Sequence, residues 1–406
     1  MFSRSLMSLA LLGCSLSIGA AEEPKWLKEA RARESKPGAM TSMKSEDGFF
    51  SAAVPAKVLG KIEQQNEGYT ATIDIGSETP MTCEVLKGGF DLASTLRNVA
   101  AVTFRDLEPI QGKVDAKGIE AQDAGVIGAS PFMTVDWIYR VNDGKAARLG
   151  ALKQFAASKG GQGIYCAHVD LGYVQTFRRV ASAFLESTGF ENAVVLPDYF
   201  EVSTASFGDR RVGIAITSLT KQQDGELELV NSTSLLYPVA ADAVNSQDSY
   251  HVQWARADAS LIEATHVVSA NGELETKLSL TSTAEGGWSV AGQFKQKEIN
   301  EKIDKDSIPV TWLAQAKARQ ALATQSDIVG KTLVDRVWVV ASPTALIEST
   351  FTVTSTNDGK VVGRETAGPL SMDVVLDNAT GLPTSAVMHL GPQTITLERV
   401  YRTGTL

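Results

Sequence analysis

The sequence contains few of the residues that usually carry out catalysis or bind metals. Of its 406 residues, only four are histidine and three are cysteine. No histidine pair has H-E-x-x-H or zinc-finger spacing, and there is no G-x-S-x-G elbow, P-loop or dinucleotide fingerprint. The sequence therefore predicts no catalytic residue, no metal ligand and no cofactor, and it favours a non-catalytic protein.

Apolar runs of membrane-spanning length are also lacking. The run Leu6 to Ile18 is shorter than the roughly 20 residues that a transmembrane helix needs. It follows the basic residue Arg4 and precedes the small residues of 19–21, which is the anatomy of a signal peptide. We predict a signal peptide over 1–21, a mature chain without a transmembrane segment, and a periplasmic or secreted location.

Cys14 offers an alternative to this cleavage site. The sequence Leu11-Leu12-Gly13-Cys14 approximates a lipobox, in which an exported protein is lipidated on cysteine. The residues that follow Cys14 are uncharged and partly apolar, whereas a lipoprotein usually has a polar tether there. We expect cleavage after Ala21, with lipid anchoring at Cys14 as the alternative.

The length of the chain indicates the number of domains, and its charge indicates which class of partner is disfavoured. The chain is 43% apolar and has a net charge of −9, and its length suggests two domains. Removal of 1–21 leaves 37 basic and 47 acidic residues, a net charge of −10. An acidic protein is poorly suited to nucleic acid, which is bound through clustered Lys and Arg.

Two cysteines remain after cleavage, Cys83 and Cys166. In an oxidising compartment we expect a disulfide between them. In the segment Cys166-Ala167-His168-Val169-Asp170, three polar side chains alternate and would share one face of a strand. A thiol beside a histidine could serve a hydrolase or a redox enzyme. The structural alternative is a disulfide at Cys166, a hydrogen-bonded His168, and Asp170 as the cap of the next helix.

The order of elements predicts an α+β fold for the first half. We expect an N-terminal helix and linker over 22–47 and an α+β domain over 48–195, with a loop-rich stretch at 112–128. Strands that surround one helix and end in another resemble the PsbP-like sandwich domains of exported proteins. The resemblance implies a sheet covered by helices.

The second half, 196–406, reads as an antiparallel β meander with closely spaced turns. One helix, 309–325, interrupts it, with Trp312, Leu313 and Ala316 on one side. This half-barrel pattern resembles the lipoprotein carriers of the Lol pathway, in which a curved sheet surrounds an apolar cavity plugged by a helix. The resemblance implies an apolar ligand, such as a lipid or acyl chain, with Trp312, Leu313 and Ala316 as candidate binding residues.

These observations favour an exported cell-envelope protein that binds an apolar ligand or a protein partner through its C-terminal domain. Two alternatives stay open: an enzyme that uses the Cys166 and His168 region, and a purely structural envelope protein.

We predict that the mature N-terminus lies within a residue or two of Glu22, because the small residues of 19–21 suit signal peptidase. Intact-mass analysis of the protein from its native envelope checks this. A mass that corresponds to a diacylated Cys14 would contradict it.

Overall fold

A computed structural model describes residues 23–142, 144, 147–191, 196–240, 242–303, 308–368, 370–390 and 393–406. The predicted signal peptide, with Cys14, lies outside these residues. The chain divides into two compact units. The N-terminal unit comprises the described residues of 12–195 and 236–246, and the C-terminal unit comprises those of 196–235 and 247–406.

The N-terminal unit combines helices with two antiparallel sheets. Its helices are α1 (Lys25–Arg31), α2 (Leu92–Gln111) and α3 (Val174–Ser187). Its strands are β1 (Thr41–Lys44), β2 (Phe50–Val54), β3 (Lys57–Gln65), β4 (Gly68–Asp74), β5 (Met81–Leu86), β6 (Lys113–Ile127), β7 (Ser130–Asn142), β8 (Ala147–Lys159), β9 (Gln162–Val169) and β10 (Gly189–Phe190). β1, β2 and β10 form a small sheet, and the rest form a seven-stranded sheet in the order β3-β4-β5-β9-β8-β7-β6.

Helices α2 and α3 pack on opposite faces of the seven-stranded sheet. Phe104 of α2 contacts Trp137 of β7, with ring centroids 5.9 Å apart. Arg178 of α3 donates to Asp136, the preceding residue of the same strand, at 2.7 Å. Because side chains alternate along a strand, these two contacts lie on opposite faces. The unit is thus a sheet with a helix on each face, and the predicted PsbP-like sandwich is not confirmed.

The segment after α1 is attached to α3. Glu34 accepts hydrogen bonds from the backbone N–H groups of Gln175 at 2.9 Å and Thr176 at 2.7 Å. A carboxylate at this position satisfies the unpaired donors of the first helical turn and complements the helix dipole. Glu34, and not Asp170, is therefore the cap of α3. Asp170 accepts from Arg33 and from the backbone of Gly172.

The predicted loop-rich stretch 112–128 is largely strand β6, so that expectation is wrong. β6 pairs with β7 along its whole length, with register shifts near 115 and 120. Its many polar side chains and these shifts obscure the two-residue alternation that reveals a strand in sequence.

The C-terminal unit is almost entirely β structure. Its strands are β11 (Tyr199–Phe207), β12 (Arg210–Lys221), β13 (Leu227–Ala240), β14 (Ala243–Ala255), β15 (Leu261–Ala270), β16 (Glu273–Ser282), β17 (Trp288–Phe294), β18 (Lys297–Ile303), β19 (Thr332–Trp338), β20 (Leu346–Asn357), β21 (Lys360–Ala367), β22 (Leu370–Leu376), β23 (Pro383–Leu390) and β24 (Gln393–Gly404). One helix, α4 (Trp312–Ala323), lies between β18 and β19. Over the described part of the chain, no helix combines the length and apolar character that a membrane crossing requires.

These strands form a single antiparallel sheet from two meanders. One runs outward from β11 to β18, the other runs inward from β19 to β24, and the pairing of β11 with β24 joins them. β18 and β19 are the two edges, and among the described residues the sheet is not closed. Trp338 at the end of β19 belongs to the same core cluster as Leu278 and Val290, so the sheet curves strongly.

Helix α4 covers the inner face of this curved sheet. Leu313 and Ala316 pack with Tyr199 and Leu219 at the centre of the sheet. At Gly381, which has a φ of +70°, an added Cβ would lie 1.9 Å from the carbonyl oxygen of Ala316. Only glycine allows the turn before β23 to approach the helix backbone this closely.

Cys83 and Cys166 form a disulfide in the N-terminal unit. The two residues are directly opposite each other on β5 and β9, with Cα atoms 4.1 Å apart. Both side chains are fully buried against α3.

We expect the variant Cys83→Ala/Cys166→Ala to be less stable than wild type. The two cysteines are 83 residues apart, and a loop of this length contributes about 4 to 5 kcal/mol in the chain-entropy account. Guanidinium unfolding of the mature protein, with and without reductant, measures the difference. Two free thiols titrated in the unfolded, unreduced protein would show that the bond does not form.

Candidate functional site

The C-terminal unit contains a cavity of about 240 Å³ between α4 and the inner face of the sheet. One wall is polar and includes Ser203, Thr217, Asn231, Thr233, Ser249 and Gln253. The wall formed by β22 to β24 is mainly apolar, with Met372, Val374, Ala386 and Leu397 beside Thr384 and Ser385. Trp312, Gln315 and Arg319 of α4 complete it. The cavity is therefore amphipathic, whereas the resemblance to Lol-pathway carriers implied an apolar cavity.

The polar wall comes from inner-face positions of consecutive strands. Thr217 is two residues from Leu219, which packs against the helix side of the sheet, so alternation places both on the inner face. The Thr217 hydroxyl donates to Asn231 Oδ1 at 2.9 Å, and the hydroxyl oxygens of Thr233 and Ser249 lie 2.6 Å apart. These two pairs place a band of hydroxyl and amide groups across β12, β13 and β14.

Two buried histidines lie next to this band. His251 on β14 is directly opposite His266 on β15, and their ring centroids are 5.2 Å apart. Both line the cavity and each is 4% exposed. Among the described residues, neither ring nitrogen of His251 has a hydrogen-bond partner. A buried donor or acceptor left unpaired costs about 1–3 kcal/mol.

Both imidazoles are neutral at pH 7. Burial, and then the neighbouring His266, hold the pKa of His251 well below its usual 6.5. Burial lowers the pKa of His266 to about 4. A neutral imidazole has one N–H donor and one lone pair, so this part of the wall can both donate and accept.

The three binding residues predicted from sequence have different roles. Leu313 and Ala316 are buried in the core that fixes α4 to the sheet. Trp312 lines the cavity, and its backbone N–H donates to Gln253 Oε1 at 3.1 Å. Its indole Nε1 is buried and has no hydrogen-bond partner among the described residues. Trp312 is thus the one of the three that a ligand could contact directly.

The charged side chains of the lining are paired. Arg319 of α4 lies 2.8 Å from Glu365 on β21, and both are largely buried. Arg319 also lies over the ring of Phe351, 4.9 Å from its centroid. Glu201 on β11 accepts from the Tyr199 hydroxyl at 2.5 Å and lies 3.5 Å from Arg399. Because these charges are compensated within the protein, none of them is free to pair with a charged group of an organic ligand.

The Cys166 and His168 region has a structural role. The side chains share one face of β9, but Cys166 is bonded to Cys83. His168 Nε2 lies 2.8 Å from Ser77 Oγ and 3.1 Å from the carbonyl oxygen of Thr79. Burial, and then the nearby charge of Lys153, lower the pKa of His168 to about 4. The thiol that the enzyme hypothesis requires is held in the disulfide.

Sequence reasoning did not identify the His pair or the polar wall as a site. The available signal was the alternation of Ser249, His251 and Gln253 along one strand, which places three polar groups on a face that other strands fill with apolar ones. Nothing in the sequence shows that this face points inward or that His266 lies opposite His251.

Comparisons with known proteins give only weak likenesses. No family model and no curated protein matches the chain, so the PsbP-like resemblance has no counterpart. The chain is similar to a β-barrel-like protein of a domain of unknown function, DUF1849, from Brucella abortus. The identity is 11% and the TM-score 0.35, over 52% of this chain and 98% of that one. A DUF1089 family protein from Pseudomonas aeruginosa matches at 12% identity and a TM-score of 0.20, over 45% of this chain and 87% of that one. The function is therefore argued from the site.

We expect Arg319→Met to destabilise the C-terminal unit by about 3–5 kcal/mol, because it leaves the Glu365 carboxylate buried without its partner. The double variant Arg319→Met/Glu365→Met removes both charges and should recover most of the loss. Arg364→Met is the matched control, since Arg364 and Asp373 form an exposed pair that contributes at most about 1 kcal/mol. Chemical unfolding measures all three. Equal losses for Arg319→Met and Arg364→Met would contradict this account.

Proposed function

We propose that this chain is a non-catalytic protein of the cell envelope whose C-terminal unit binds a small, uncharged, amphipathic molecule in the cavity beneath α4. The observation that carries the proposal is the lining itself. A hydroxyl and amide wall and a mainly apolar wall line the same cavity, and the buried nitrogens of His251 and Trp312 have no hydrogen-bond partner among the described residues. Convergent polar groups in a concave apolar site are typical of ligand recognition.

The two walls suggest how such a ligand lies. Its apolar part packs against Val374, Ala386 and Leu397, where each methylene removed from water contributes about 0.8 kcal/mol. Its polar part faces Thr217, Asn231 and the imidazole of His251, which can both donate and accept hydrogen bonds. A ligand group that pairs with these nitrogens also removes the cost of leaving them unpaired.

The size of the cavity limits the ligand. A volume of about 240 Å³ lies just below the range of about 300–1,000 Å³ that is usual for small-molecule pockets. It suits a compact molecule or one segment of a longer chain. An acyl chain or lipid, as the resemblance to Lol-pathway carriers implies, would place only its segment next to the head group here.

The proposed compartment rests on separate features. Residues 1–21 have the anatomy of a signal peptide, and disulfides such as that of Cys83 and Cys166 persist mainly in oxidising compartments. Both support an exported protein, either periplasmic or secreted. A protein partner for the C-terminal unit is the competing hypothesis.

We expect Ala215→Phe to abolish ligand binding while the protein stays folded. Ala215 lines the cavity, so the phenyl ring fills space that the ligand needs, at a cost of about 1–3 kcal/mol from overpacking. Thr220→Phe is the matched control, because alternation places Thr220 on the opposite face of the same strand. The measurements are mass spectrometry of molecules extracted from the natively purified protein and fluorescence titration with the uncharged probe N-phenyl-1-naphthylamine.

Wild type and Thr220→Phe should bind the probe equally, and Ala215→Phe should bind at least about tenfold more weakly, a difference of about 1.4 kcal/mol. Circular dichroism confirms that each variant is folded. Equal binding by a folded Ala215→Phe would contradict the cavity as the site. A wild-type protein that binds no small molecule but retains a specific envelope protein would favour the partner hypothesis.

A further inference from the structure

The buried histidine pair has the geometry of a cross-strand chelate. His251 and His266 are directly opposite in the pairing of β14 with β15, and their ring centroids lie 5.2 Å apart. Imidazole nitrogens bind Zn²⁺ at about 2.0–2.1 Å, and two rings on one tetrahedral ion have centroids roughly 5 Å apart. The observed separation of the centroids is therefore the one expected for two imidazoles on one ion.

The rings are also chemically available. Both rings line the cavity, and the neutral form of an imidazole carries one lone pair that can bind a metal ion. His251 is 96% buried, given its exposed fraction of 4%, and both of its ring nitrogens lack a hydrogen-bond partner in the described part of the chain. The two rings are therefore not hydrogen-bonded to each other through His251. The His251 ring also packs against the Trp338 ring in an edge-to-face arrangement, with centroids 6.0 Å apart.

We propose that His251 and His266 together bind a first-row transition-metal ion of the Cu²⁺, Zn²⁺ or Ni²⁺ class. Imidazole suits these ions, whereas Mg²⁺ and Ca²⁺ require oxygen ligands. No group of three or more His, Cys, Asp or Glu that could hold a metal occurs among the described residues. The protein thus supplies two ligands, and water completes the coordination from the adjoining cavity. The metal site shares His251 with the organic ligand proposed above, but it needs only the two imidazoles and water, so it does not rest on that ligand.

The test is a titration of the untagged mature protein, with its disulfide intact, with Cu²⁺ and Zn²⁺ and with Mg²⁺ as the negative control. Calorimetry gives the affinity, and the nitrogen hyperfine structure in the Cu²⁺ electron paramagnetic resonance spectrum counts the bound imidazoles. We expect two imidazoles at one equivalent of Cu²⁺. His251→Gln and His266→Gln should each leave one bound imidazole and weaken metal binding by at least about tenfold. Loss of even a group that only orients a metal ligand weakens binding by about 10- to 100-fold.

His389→Gln is the matched control. His389 is exposed and pairs with Asp373 at 3.2 Å, so it is where a surface-bound ion would be held. It should keep the wild-type affinity and both imidazoles. Since the chain has only four histidines, these variants and His168→Gln account for every imidazole.

Either of two results would overturn the proposal. One is a wild-type spectrum with fewer than two imidazoles, which decides the matter even where a variant does not fold. The other is a loss of binding in His389→Gln or His168→Gln with none in His251→Gln. Because none of these measurements uses the organic ligand, failure here leaves the amphipathic-ligand proposal standing, and the reverse holds too.

Discussion

The pairing of β11 with β24 is the contact on which the C-terminal unit depends. It joins the start of one meander to the end of the other, at residues as far apart as Tyr199 and Gly404. Without it each meander would be a separate sheet with one apolar face exposed to water. With it the two form one curved surface whose edges, β18 and β19, are left for the connecting segment to bridge. That segment includes α4, which packs against the inner face through Leu313 and Ala316.

This arrangement explains why apolar packing fills only part of the space next to the inner face. Leu313 and Ala316 seal the centre of the sheet, but α4 is only 12 residues long and cannot cover the whole concave surface. Beside these contacts a cavity remains between α4 and the sheet, and there the inner face carries hydroxyl, amide and imidazole groups. Polar groups in such a position are expensive unless they are paired, and most of them are, through Thr217 with Asn231 and Arg319 with Glu365. Within the part of the chain that the structure describes, the ring nitrogens of His251 and the indole nitrogen of Trp312 are cavity-lining groups buried without a hydrogen-bond partner.

The N-terminal unit shows how neighbours decide the role of a reactive residue. Cys166, His168 and the buried Lys153 lie on one face of the seven-stranded sheet, where α3 excludes water. Burial lowers the pKa of Lys153 to about 8, a value that in an open cleft would suggest a catalytic base. Here Lys153 donates to the carbonyl oxygen of Asp170, His168 is hydrogen-bonded, and Cys166 is in the disulfide. The cluster fixes strands and a helix in position.

The sequence by itself determined what depends on local pattern. Turn residues and two-residue alternation predicted the meander, and a helical interval near Trp312 predicted α4, because neighbouring residues along the chain set these features. The sequence did not predict strand β6, because its polar composition hides the two-residue alternation. Tertiary structure alone decided the contacts between distant parts of the chain. Glu34 caps α3 across 141 residues, and β11 pairs with β24. It also decided that one face of β14 points into a cavity with His266 across from His251. These contacts join residues distant in sequence, and their energies arise only when the whole sheet has formed, so no local pattern records them.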